Sequence, residues 1–156
     1  MRLTITAVSR VRSGPERELV DDYLSRATAA GRAIGLGPAS ETEIDNRSLT
    51  DRTAESKALA DAIPAGAKCV FLDERGKDLS ARDFAAKIGG WRDEGVRETV
   101  FLIGGADGLD RAVLPQPDLV IAYGSTVWPH KLVRAMLAEQ LYRGVSILAG
   151  MPYHRD

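Results

Sequence analysis

The feature that most constrains this chain is a run of four consecutive apolar residues, Cys69-Val70-Phe71-Leu72, between the charged Lys68 and Asp73. A strand with one wet face alternates apolar and polar residues, whereas an unbroken apolar run needs cover on both faces. Short buried strands separated by helical patterns are the mark of an α/β sandwich. The rest of the chain supplies both. Leu3, Ile5 and Ala7 alternate with Thr4 and Thr6 as a first strand. Ser13 with Glu16, and Pro15 between them, is a helix-start signature, after which Leu19, Val20, Tyr23, Leu24 and Ala27 share a face until Gly31 and Gly35. Residues 38–46 read as a weak strand and 50–63 as a helix stopped by Pro64. The buried run gives a third strand over 68–73. Ser80 and Asp83 open a helix whose core face holds Phe84, Ala85, Ile88 and Trp91. Strands over 98–103 and 118–122 follow, then a last helix from about 130 to 144 or beyond. The expected fold is an open, mostly parallel α/β sheet with helices on both faces, built as a single domain over 1–156. No repeat, linker or low-complexity tract interrupts it.

Composition narrows the function. With 156 residues, 44% hydrophobic and 28% charged, the chain suits one well-filled core. Its apolar stretches are strand-sized, and its N-terminus lacks a signal peptide's apolar segment, so a cytoplasmic protein without a membrane span is expected. Cys69 cannot form an internal disulfide and reads as a small buried hydrophobe. The net charge of −1 argues against a self-sufficient nucleic-acid binder. Basic residues nevertheless gather at the two ends. From residue 128 onward Lys131, Arg134, Arg143 and Arg155 outnumber Glu139 and Asp156, and near the start Arg2, Arg10, Arg12 and Arg17 outnumber Glu16 and Glu18. A dimer pooling two such patches, or a ribosome supplying most of the contacts, reconciles neutrality with RNA binding.

Candidate site residues concentrate in the last third. Gly104-Gly105-Ala106-Asp107-Gly108 follows an apolar strand; glycine there lets backbone approach a ligand, and it equally suits a purely structural turn. The pattern is neither GxGxxG nor GxxxxGK[ST], so dinucleotide and triphosphate readings lose support. Leu72 ends the third strand where ligands of open α/β sheets sit, and a core leucine is the simpler reading. Pro129 presets the first turn of the last helix. His130, Arg134 and Arg143 lie along that helix, where a solvated face is the alternative. Tyr153-His154-Arg155 close the chain. The two histidines lack partners at metal-ligand spacing, and no G-x-S-x-G elbow accompanies Ser125 and His130, so neither a metal site nor a hydrolytic triad is expected.

Read together, Gly104-Gly105, the run from Pro129 through His130 to Arg134, the segment 138–143 and Tyr153-His154-Arg155 closely resemble the RlmH family of SPOUT methyltransferases. These methylate N3 of a pseudouridine in 23S ribosomal RNA. The resemblance spans the whole length and is weakest over about 32–66. It implies a C-terminal trefoil knot, which no sequence pattern reveals. It implies S-adenosylmethionine as cofactor, S-adenosylhomocysteine as product, and a pocket formed by Leu72, Ile103, Gly104, Gly105 and the loop Tyr123, Gly124, Ser125, Thr126, Val127 and Trp128. Trp128 departs from the family's usual residue before Pro-His. A homodimer is implied too, with the apolar face of Leu132, Val133, Met136, Leu137 and Leu141 divided between core and interface.

Methyl transfer to N3 requires loss of the N3 proton. His154 is the first candidate to handle it and His130 the second. Tyr153 can stack on a splayed base, and Arg134, Arg143 and Arg155 can meet phosphate. Two other readings stay open on the residues alone: another nucleotide-using α/β enzyme, and a ribosome-associated RNA-binding protein without catalysis.

Overall fold

The computed structural model describes residues 1–155; Asp156, counted above among the tail's acids, lies outside them. Five strands form, β1 (Arg2–Val8), β2 (Ala39–Ile44), β3 (Lys68–Asp78), β4 (Glu98–Ile103) and β5 (Leu119–Ala122). Four helices accompany them, α1 (Pro15–Gly31), α2 (Arg52–Asp61), α3 (Ala81–Asp93) and α4 (His130–Leu148). All strand pairs are parallel, in the order β2-β1-β4-β3-β5. Among the described residues no helix is long and apolar enough to cross a membrane.

The unbroken apolar runs sit where two-sided burial demands them. Leu3, Ile5, Ala7, Val70, Phe101 and Ile103 face a core completed by α1, α3 and α4. Val8, Cys69, Phe71, Val100 and Leu102 point the other way, onto Leu59 of α2 and onto Leu109 and Leu114. Each fully buried large side chain here contributes roughly 1.5–3 kcal/mol of transfer free energy. Every residue of β4 is buried, including Glu98, whose carboxylate accepts from Thr4 Oγ1 at 2.6 Å and pairs with Arg2. Burial pushes the Cys69 thiol up to about 12, with Asp118 adding to it, which keeps it an unreactive core group.

Several expectations are adjusted. Leu19, on the face predicted for α1, is 42% exposed, whereas Val20, Leu24 and Ala27 of that face are buried. The Ser13/Glu16 capping box does not form, because Gly14 at φ 99° occupies the N-cap and Pro15 begins the helix. Asp51 and Ser80 do cap, accepting from Ala54 N at 2.8 Å and Asp83 N at 3.1 Å. Strand β3 continues past residue 73. It leaves the ladder after Leu72, bulges over 73–76 and rejoins Ile121 and Ala122 at Lys77 and Asp78. A Cβ on Gly76 would lie 2.5 Å from the Ile121 carbonyl carbon, so the bulge closes only with glycine there.

Candidate cofactor cavity and C-terminal cluster

A cavity of about 460 Å³ opens at the C-terminal ends of β3, β4 and β5, the place where ligands of open α/β sheets bind and a size suited to a nucleoside-bearing molecule. Leu72, Ile103, Gly104, Gly105, Tyr123, Gly124, Thr126, Val127 and Trp128 all line it, as does His130. Ser125 belongs to the same loop but is exposed and does not line the cavity. Trp128 has a definite side-chain role: its Nε1 donates to the Tyr123 carbonyl at 2.9 Å and closes the loop on itself.

The glycine requirement has a cause nearer than any ligand. A Cβ on Gly104 would sit 2.5 Å from the Gly108 carbonyl oxygen, and one on Gly105 would meet the Glu55 carboxylate. The turn is closed by a Gly108 N–H to Gly105 O bond of 3.1 Å, with Gly108 at φ 74°. These glycines shape the cavity wall by packing against one another and against α2. Sequence reading missed the charged part of the lining. Arg52 comes from the start of α2, and Asp73, Glu74 and Arg75 come from the bulge of β3. Burial alone would raise the Asp73 carboxyl, but hydrogen bonds from Arg75 and the charge of Arg111 hold it below the usual range.

Arg134 corrects an expectation outright. It is fully buried and cannot reach phosphate from this position. Its Nη1 donates to Glu41 at 3.0 Å and Glu43 at 2.7 Å, and its Nη2 donates to the Val8 and Ser9 carbonyls at 2.9 Å each. Arg17 adds a second cation on Glu41 at 2.6 Å. The alternation of Glu41 and Glu43 on one face of β2 was the sequence signal for a buried cationic partner.

The tail does dock, but elsewhere. Tyr153 donates to Glu139 at 2.9 Å and packs on Tyr142 with ring centroids 4.5 Å apart. Arg143 pairs with the same carboxylate and lies over the Tyr153 ring at 4.9 Å. Arg26 of α1, missed in the sequence, lies 4.6 Å from the Tyr142 centroid and 5.7 Å from that of Tyr153. Burial, then hydrogen bonds with Tyr23 and Glu139, raise the Tyr153 phenol above its ordinary value. The His154 Nδ1 lies 3.3 Å from Arg143 Nη1; guanidinium only donates, so this nitrogen is the acceptor and its lone pair is engaged. Arg155 is exposed. His130 and Arg143 stand thirteen residues apart on α4, roughly 20 Å along its axis, so the cavity wall meets the helix at its first turn and the tail cluster runs from its middle, at Glu139, onward.

A family model described as "Predicted SPOUT methyltransferase" matches residues 1–154. A protein of Maricaulis maris is 66% identical over 156 residues, covering all of both chains. Relatives from Ruegeria pomeroyi, 53% identical with 99% of each chain covered, and Phenylobacterium zucineum, 53% identical with all of each covered, bear the same name, ribosomal RNA large subunit methyltransferase H.

Proposed function

The chain belongs to the SPOUT methyltransferase family, and from that premise we propose that it is a ribosomal RNA methyltransferase acting on the large subunit in the cytoplasm. Its finer reaction is transfer of the methyl group of S-adenosylmethionine to N3 of a 23S rRNA pseudouridine, on assembled ribosomes. The observation that carries this reading is the convergence of nine of the ten expected cofactor residues on one cavity at the strand ends.

The lining suits that cofactor. Leu72, Ile103 and Val133 offer apolar walls, and the 123–128 loop offers peptide groups for an adenine edge. Asp73, Glu74 and Asp107 against Arg52 and Arg75 make a lining that favours a cationic sulfonium over a polyphosphate, which counts against the other nucleotide-using enzymes. S-adenosylmethionine supplies an already activated methyl group, leaving the protein to align the partners and handle the N3 proton. His130 is held below its ordinary pKa, first by burial and then by Arg134 and Lys131. It is therefore neutral near pH 7. In this proposal Tyr153 meets the target base after exchanging its contact with Glu139, and the exposed Arg155 meets phosphate.

A homodimer joins the two ends of α4. Leu19, Tyr23, Leu132, Ala135 and Met136 line an apolar groove beside the tail cluster, and Tyr123 borders both groove and cavity. A second copy covering this groove would bring one subunit's tail to the other's cavity, so that each site uses both chains. The family's trefoil knot belongs to the same proposal.

The test is methyl transfer from labelled cofactor to 70S particles, separate subunits and naked 23S RNA, with the modified nucleotide mapped. Incorporation at N3 of a pseudouridine in 70S particles is expected. Ribosome binding without incorporation would replace the enzyme with an RNA-binding protein. Met136→Glu should yield monomers in analytical ultracentrifugation and lose transfer; an active monomer would remove the shared site.

A further inference from the structure

Ser9 follows β1 and is the one described non-glycine residue with positive φ, at 67°. An L-residue holds that conformation only when its surroundings enforce it, and such residues cluster at functional sites. The enforcement here is visible. The buried Arg134 guanidinium grips the carbonyls of Val8 and Ser9, and Glu43, held by the same guanidinium, accepts from Val11 N at 2.8 Å. The Ser9 N–H donates to Ile44 O at 2.9 Å. A conformation held from so many sides places the Ser9 hydroxyl 3.2 Å from His130 Nε2, beside the cavity.

The direction of that contact can be worked out. The Ser9 hydroxyl has one proton, and it donates to the Val8 carbonyl at 2.6 Å. Toward His130 the oxygen can then only accept, so Nε2 carries the ring proton. Nδ1 becomes the ring's bare nitrogen. We propose that Ser9 is a positioning residue that fixes His130 with its proton on Nε2, so that Nδ1 accepts a hydrogen bond from an N–H or O–H group on the nucleoside of the cofactor bound in the cavity. This rests on the cofactor reading above. Burial, then Arg134 and Lys131 of α4, keep the ring neutral, and Glu55 of α2 opposes them. His154 stands in contrast, because its Nδ1 already faces Arg143.

The test uses the full chain labelled with ¹⁵N-histidine, which gives two rings to assign. At pH 7.5 the wild-type His130 ring should show a protonated-type Nε2 and a bare-type Nδ1 resonance, and S-adenosylhomocysteine should move the Nδ1 signal. Ser9→Gly accepts the positive φ and deletes the hydroxymethyl side chain. In that variant both ring resonances should move toward averaged values, and affinity for S-adenosylhomocysteine should fall roughly fivefold, as for one lost neutral hydrogen bond. Ser9→Ala, which keeps the Cβ and loses the hydroxyl, should give the same two changes. A wild-type ring with its proton on Nδ1, or a Ser9→Gly variant with unchanged resonances and affinity, would overturn the proposal; the first needs no variant to fold. If S-adenosylhomocysteine fails to bind wild type, the cofactor reading falls, and the ring resonances still decide for or against Ser9.

Discussion

The cavity and the tail cluster meet different stretches of α4, its first turn and its middle onward, and are built from different materials. The cavity is largely backbone: a glycine turn packed against itself, a bulge that only Gly76 lets close, and a loop tied by Trp128 to the Tyr123 carbonyl. The tail cluster is side chains, with one carboxylate, Glu139, holding Tyr153 and Arg143 while Arg26 lies against the tyrosines. Backbone walls are set by the fold and change little on binding. Side-chain pairs on a surface can be exchanged for others at low cost. The difference teaches that the cavity walls are built within one chain, whereas the tail is held by side-chain contacts, which the proposed dimer would use to bring it to a second chain's cavity.

The largest effect should come from separating the two ends. Deleting residues 153–156 should cut methyl transfer by orders of magnitude, because positioning is most of what the protein contributes, while unfolding free energy drops by about 1–3 kcal/mol for the lost Tyr153 contacts with Tyr142 and Glu139. Gly104→Val should spoil the cavity by driving a side chain into the Gly108 carbonyl. Mixed dimers of these two inactive chains should recover activity, since one of their two sites has an intact cavity and an intact tail. No recovery on mixing would place tail and cavity in the same subunit.

Next in size is Arg134→Ala. Removing a buried cation from Glu41 and Glu43 should cost about 3–5 kcal/mol in urea denaturation. Arg155→Ala, on the surface, should leave stability within about 0.5 kcal/mol and instead weaken ribosome binding and lower its salt dependence. A stable Arg134→Ala protein with a ribosome-binding defect would return that residue to the RNA surface.

The smallest effect is a pH slope. His130 is held below its ordinary value in the fold, so the unfolded chain binds more protons between that lowered value and about 6.5. Stability should therefore fall as pH drops below about 6.5 and show no His130 contribution above it. His130→Gln should flatten that part of the profile, and an unchanged slope would assign it to other groups.

How much of this was legible follows the same line. Buried strands and their helices were readable because two-sided burial writes itself into consecutive residues such as 69–72, and β4 was read with its observed bounds. The cavity was readable because it lies at strand ends, where the family resemblance quotes short contiguous motifs. Arg134 was misread because helical spacing says which residues share a face, not whether that face is covered. Its partners, Glu41 and Glu43, lie more than ninety positions away. Ser9 left no signal at all, since a serine forced to positive φ looks like any other serine in a loop. Leu19 was read by periodicity onto one face with Val20, Tyr23, Leu24 and Ala27, and in the structure it lines an open groove.

One property of the sheet bears on how the protein comes into being. Its central strand, β4, has β1 as one of its two neighbours, so Arg2 lies opposite Glu98 and their side chains pair across 96 positions of chain. The first strand made must wait for the fourth, and at roughly 5–20 residues per second that wait lasts on the order of ten seconds of translation. Pairing at such sequence separation is slow even once the chain is free. The apolar first strand thus spends its early life without its central partner, a window in which a nascent-chain chaperone has something to hold.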